Sequence, residues 1–148
     1  MGVKGKGLLI EHEHARSRRH ALLDANEQCG WLLLTLPGEY RIDREAFVFS
    51  PGLLVPVDEA IRASKDGHPP PLASEYASPD AIIREPDADE FAFRWSDDGE
   101  SVAVLHRGEP AAMIVSGSNR GYSRALSREG FYGHPWDQSI YESVFEAE

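Results

Sequence analysis

Between Phe91 and Ser116 the residue pattern leaves little choice of structure. Phe91-Ala92-Phe93-Arg94-Trp95 places apolar side chains at every second position, the period of a strand with one buried face. Asp97-Asp98-Gly99 follows as a turn, because glycine accepts positive φ and aspartate hydrogen-bonds its own backbone. Ser101 to His106 reads as a second strand, Arg107-Gly108-Glu109-Pro110 as a second turn, and Ala111 to Ser116 as a third strand. The spacing predicts three antiparallel strands in sequence order, a meander.

Elsewhere the pattern is mixed. Leu8-Leu9-Ile10 is a short β-like run. Glu11 to Gln28 has two readings. Ala15, Ala21, Leu22 and Leu23 fit an amphipathic helix; alternatively Arg19 to Leu23 and Cys29 to Leu36 form a hairpin around Asp24-Ala25-Asn26-Glu27. Gly30 to Leu36 is almost continuously apolar, as in a strand covered on both faces. Arg41 to Arg44 is polar, Ala46 to Phe49 is a further strand, and Leu53-Leu54-Val55 is a short link. Val57 to Lys65 reads as a helix: Asp58 and Glu59 stand in its first turn, Ile61 is its apolar anchor, Lys65 lies in its last turn, and Gly67 follows it. The prolines Pro69-Pro70-Pro71 fix φ and remove donors, so this stretch is an extended connector.

Ser78-Pro79-Asp80 either caps a helical turn or precedes a short edge strand at Ala81 to Ile83. Tyr122 to Leu126 reads as a helical turn, and Pro135 to Phe145 as a short C-terminal helix. The expected fold is α+β in one domain over residues 1–148. It has a mainly antiparallel sheet of about six strands with the meander at its centre, a helix after residue 57 and a C-terminal helix. Leu9, Trp31, Leu33, Phe47, Phe49, Phe91, Phe93, Val102, Val104, Met113, Val115 and Phe145 are expected inside.

Val104 to Ser116 resembles the strand-turn-strand segment of Phd-type antitoxins, over those residues only. The helix expected before that segment is replaced here by Phe91 to Trp95 and an acidic turn, so no residue role is carried over.

Charge is the clearest functional signal. The net charge is −10, which disfavours nucleic acid, whose phosphates need clustered Lys and Arg. It speeds encounter with a basic partner. From Glu85 to Glu100, Arg94 is the only cation among Glu85, Asp87, Asp89, Glu90, Asp97, Asp98 and Glu100. Asp87, Asp89, Glu90, Asp97, Asp98 and Glu100 are therefore candidate contacts for a protein partner. Arg120, Tyr122 and Trp136 join them as exposed-loop candidates. Cys29 is the single cysteine and forms no internal disulfide, which suits a reducing, cytoplasmic setting. No apolar run is long enough to span a bilayer, and the start, with Lys4 and Lys6, has no apolar signal segment.

Catalytic motifs are absent: the sequence holds no Gly-x-Ser-x-Gly and no His-Glu-x-x-His. His12 and His14 share a face if they lie on a strand, and His20 offers a third imidazole, so a metal centre is one alternative. Cys29 is a nucleophile only if His and Asp approach it. Gly117 to Gly121 resembles an anion nest but lacks the Walker pattern. The expectation is an acidic protein-interaction module without a cofactor, of the inhibitor or immunity type. The alternatives are a metal-dependent or hydrolytic enzyme built on the His cluster, and a homo-oligomeric or small-ligand-binding domain.

Overall fold

The computed structural model describes residues 7–146; Lys4 and Lys6 lie outside them. Among these residues the chain is α+β and mostly sheet. β1 (Leu8–Glu13), β2 (His20–Ala25), β3 (Gly30–Thr35) and β4 (Ile42–Phe49) form an antiparallel sheet in sequence order. β5 (Leu54–Val55), α1 (Val57–Lys65) and β6 (Leu72–Ala73) follow, β5 and β6 pairing in parallel. β7 (Phe91–Trp95), β8 (Val102–His106), β9 (Glu109–Ile114), β10 (Tyr122–Ser123) and β11 (His134–Pro135) build a second, five-stranded sheet in the order β11-β10-β9-β8-β7. α2 (Gln138–Tyr141) ends the fold and continues through a wider turn at Glu142–Glu146.

Local chemistry sets the turns. Asn26 Oδ1 accepts from the backbone N–H groups of Gln28 (2.7 Å) and Cys29 (3.0 Å), closing the β2–β3 hairpin. Arg107 and Gly108 both hold positive φ, 52° and 84°, the two-residue turn whose twist matches antiparallel strands. The Asp137 carboxylate accepts from the Ile140 N–H (3.1 Å) and caps α2.

Alternation on the two sheets builds the main core between them. Ala21, Leu23, Leu32, Leu34, Ala46 and Val48 from the first sheet meet Phe91, Val102, Val104, Ala112 and Ile114 from the second. The outer side of β3 and β4 is half covered, where Cys29 and Phe47 pack under Ala60 of α1, Leu72 and Tyr132. The outer side of the second sheet packs Ala103 and Met113 against Tyr141 and Phe145. Arg94 fastens that last layer, donating to Tyr141 Oη (3.0 Å) and the Phe145 carbonyl (2.8 Å).

Several expectations are corrected. The strands divide between two facing sheets and a small parallel pair, where one sheet of about six was expected; two half-buried sheets satisfy more apolar faces than one. Leu9 is 65% exposed, because Leu8 and Ile10 take the inward side of β1. Trp31, Leu33, Phe93 and Val115 are only partly buried. In α1 the buried residue is Ala60, and Ile61 is 41% exposed. Residues 42–44 belong to β4, Tyr122 opens a strand, and Pro135 lies in β11, so the last helix starts at Gln138. The β8–β9 turn is Arg107-Gly108, and Glu109 and Pro110 lie in β9. Ile82 forms a bridge to Ser50 where a capped helical turn or an edge strand was expected.

Candidate binding surface

The acidic residues singled out in the sequence fall into two groups. They sit at the two ends of β7, about 13 Å apart for five extended residues. At the first end the Asp87 carboxylate accepts from the Asp89 N–H (3.0 Å). Glu90 takes the Arg107 guanidinium (2.7 Å) and His106 Nε2 (3.1 Å). Arg107 first and His106 second hold the Glu90 carboxyl below its ordinary value. At the other end Asp98 accepts from Ser96 Oγ (2.7 Å) and the Glu100 N–H (3.0 Å). The backbone bond, then the hydroxyl, lowers its carboxyl. Glu100 pairs with Arg19 at 2.8 Å. Asp89 and Asp97 remain exposed, with no side-chain partner among the described residues.

Each loop candidate also makes a contact within the chain. Arg120 donates to the Gly130 carbonyl, and Tyr122 packs against His134 at 4.7 Å between ring centroids. Trp136 Nε1 donates to Gln138 Oε1 (2.8 Å) while the Arg124 guanidinium covers its ring at 4.6 Å.

The three histidines do not converge: His12 and His14 both flank Trp95, at 6.3 and 5.2 Å between ring centroids, and His20 lies apart from them. His12 pairs with Ala21 and Glu13 with His20 in the β1–β2 ladder, so His12 and His20 project from opposite faces. His12 Nδ1 accepts from Trp95 Nε1 (2.9 Å). His14 Nδ1 accepts from the Arg16 and Ser17 N–H groups, each at 3.2 Å. His20 Nδ1 lies 2.6 Å from Glu11 Oε2, and its ring stacks on Tyr40 at 4.2 Å. Among the described residues no group of three or more His, Cys, Asp or Glu is placed to hold a metal ion. Cys29 is buried, and burial pushes its thiol up, away from the thiolate a nucleophile needs.

What sequence reading missed is the outer face of the first sheet. Across its four strands one row runs Glu11, Leu22, Leu33, Glu45, and the next runs Leu9, Asp24, Trp31, Phe47. Each row mixes apolar side chains with carboxylates. The face is open at Leu9, at Tyr40 (62% exposed) and at Ile42 (42% exposed). Toward α1 it deepens into a cleft of about 590 Å³, floored by Trp31, Leu33 and Ile42 and walled by Pro69, Pro70 and Phe131. Asp24 and Glu45 line it, and neither has an ion-pair partner among the described residues. Glu45 reaches solvent, yet the atoms crowded around it partly desolvate the carboxyl and push it up. In the sequence the triplets Leu9-Ile10-Glu11 and Leu22-Leu23-Asp24 show only an apolar pair before an acid. The face becomes readable only once the hairpin register is known.

A second cleft, about 560 Å³, opens beside Arg84, His106, Arg107, Glu109 and Arg124. Its charges are of both signs: Arg107 is taken by Glu90, and Arg124 by the Pro110 carbonyl and Gln138. No protein-family model, curated protein or solved structure matches this chain. Among the described residues no helix is long and apolar enough to cross a membrane.

Proposed function

We propose that this chain is an acidic protein-interaction module, of the inhibitor or immunity type, that binds a basic surface on a partner protein. One observation carries the reading. Asp24 and Glu45 flank Trp31 and Leu33 on an open sheet face, with no ion-pair partner among the described residues, in a chain of net charge −10. Interfaces of this kind combine partly exposed apolar side chains with charges that match the partner's. The acids at the ends of β7 contribute long-range attraction through Asp89 and Asp97, neither of which has an ion-pair partner among the described residues, although Arg16 lies beside the Asp97-Asp98 turn. The single buried cysteine supports a reducing compartment such as the cytoplasm.

The test uses the full chain as bait beside the Asp24→Lys/Glu45→Lys double variant, at low and high salt. The expected result is a basic protein retained by the wild type at low salt, released at high salt, and not retained by the variant. No salt-sensitive partner, or the same partner on both baits, overturns the reading.

A further inference from the structure

Resting on that reading, we propose that the cleft between the outer sheet face and the Pro69-Pro70 wall is a slot for arginine side chains of the partner. The cleft suits a side chain that is apolar along its length and charged at its tip. Leu33 and Ile42 on its floor offer apolar surface to a methylene stem. Trp31 and Phe131 offer aromatic surface, and Glu45 offers a carboxylate. Phe131 stacks on Tyr132 at 4.4 Å between ring centroids and still stays 41% exposed.

Arginine fits better than lysine on two counts. A planar guanidinium stacks on aromatic rings and pairs with a carboxylate through two parallel bonds, which an ammonium does not do. The chain also covers other aromatic rings in this way: Arg124 lies over Trp136 (4.6 Å), Arg128 over Tyr76 (5.1 Å) and Arg94 over Tyr141 (5.7 Å). Trp31 and Phe131 have no such cover among the described residues.

The spacing of the carboxylates sets the segment. Asp24 and Glu45 are two strand spacings and two residues apart, about 12 Å at the backbone. One guanidinium does not hold both. Two arginines at alternate positions of an extended segment, which project to the same side, reach both.

The probe is the blocked tripeptide Arg-Gly-Arg, titrated into the full chain while backbone amide shifts are followed. The expected result is saturable shifts at Trp31, Leu33 and Glu45. Affinity falls about tenfold in Glu45→Gln and more in Asp24→Asn/Glu45→Gln. Lysine in place of arginine binds more weakly, and citrulline, which keeps the shape without the charge, does not bind. Equal binding of the citrulline peptide, shifts confined to other surfaces, or an unchanged affinity in both variants overturns the slot. Unchanged amide spectra away from the substitutions show that the variants are folded. A salt-sensitive basic partner captured without any tripeptide binding removes the slot and leaves the partner reading. Tripeptide binding with no captured partner does the reverse.

Discussion

Gly30 passes so close beneath Phe49 that a Cβ on it would fall 2.1 Å from the ring. The two residues face each other across β3 and β4, at a point where the register shifts by a residue. Both are buried in full or nearly so, and the ring cannot move without disturbing Phe91, 5.8 Å away between centroids. Gly30→Ala is expected to destabilise the fold by at least about 2 kcal/mol, the cost of overpacking a rigid core. A urea titration that shows an unchanged midpoint would contradict this packing.

Arg19 joins the two sheets. Its guanidinium meets Asp43 (3.0 Å) and Glu100 (2.8 Å) and donates to the Thr35 carbonyl (2.9 Å), with only 12% of the side chain exposed. Arg19→Met leaves Glu100 without its cation, while Asp43 keeps Arg44 at 3.6 Å; it should cost about 2 kcal/mol, each charged hydrogen bond contributing ~1.5–3 kcal/mol before solvent compensates the exposed acids. Arg19→Lys keeps the charge but loses the fork. Its urea midpoint should fall between those of the wild type and Arg19→Met.

Tyr132 is a buried hydrogen-bond relay: its hydroxyl donates to the Pro71 carbonyl and accepts from the Ala73 N–H (2.8 Å). It holds the proline connector against the core. Burial pushes its phenol up to about 12. A raised value means that the folded state prefers the neutral form. That contribution is complete below the ordinary tyrosine value and is lost as pH rises through about 12. Phenolate absorbance should show one tyrosine that titrates only as the protein unfolds in alkali. Tyr132→Phe leaves the Ala73 N–H without a partner and should cost about 1–3 kcal/mol, read from the thermal midpoint.

Glu11 is held below its ordinary value, first by the Tyr40 hydroxyl (2.6 Å) and then by His20. A lowered carboxyl contributes stability above its unfolded value and loses it as pH falls through the lower folded value. Tyr40→Phe should move the Glu11 titration upward, as followed by side-chain carboxyl NMR. It should also narrow the stability difference between neutral and acid pH. A Glu11 midpoint unchanged in the variant would show that the hydroxyl is not its anchor.

Much of the local structure is legible in the residues. The alternation in Phe91-Ala92-Phe93-Arg94-Trp95 coincides with β7, and the acids and lysine that bracket Val57–Lys65 coincide with α1. Of the two readings of Glu11 to Gln28, the hairpin is the one formed, but Asp24 and Ala25, expected in its turn, pair with Trp31 and Gly30 in the ladder, because Asn26 closes the turn two residues later. What the candidate surface needed was less legible. Asp24, Trp31 and Glu45 are far apart in sequence and meet only through the β2–β3–β4 register. The acids of Glu85 to Glu100 are close in sequence but separated by a rigid strand, and two of them are taken by Arg107 and Arg19.

The sequence alone determined net charge, the strand and helix periods and most turn positions, since each depends on side chains within a few residues of one another. Only the tertiary structure decided which carboxylates keep a cation and which face water without one. Pairing registers and sheet-to-sheet packing act across dozens of residues, and a shift of a single residue would send every one of those side chains to the opposite face.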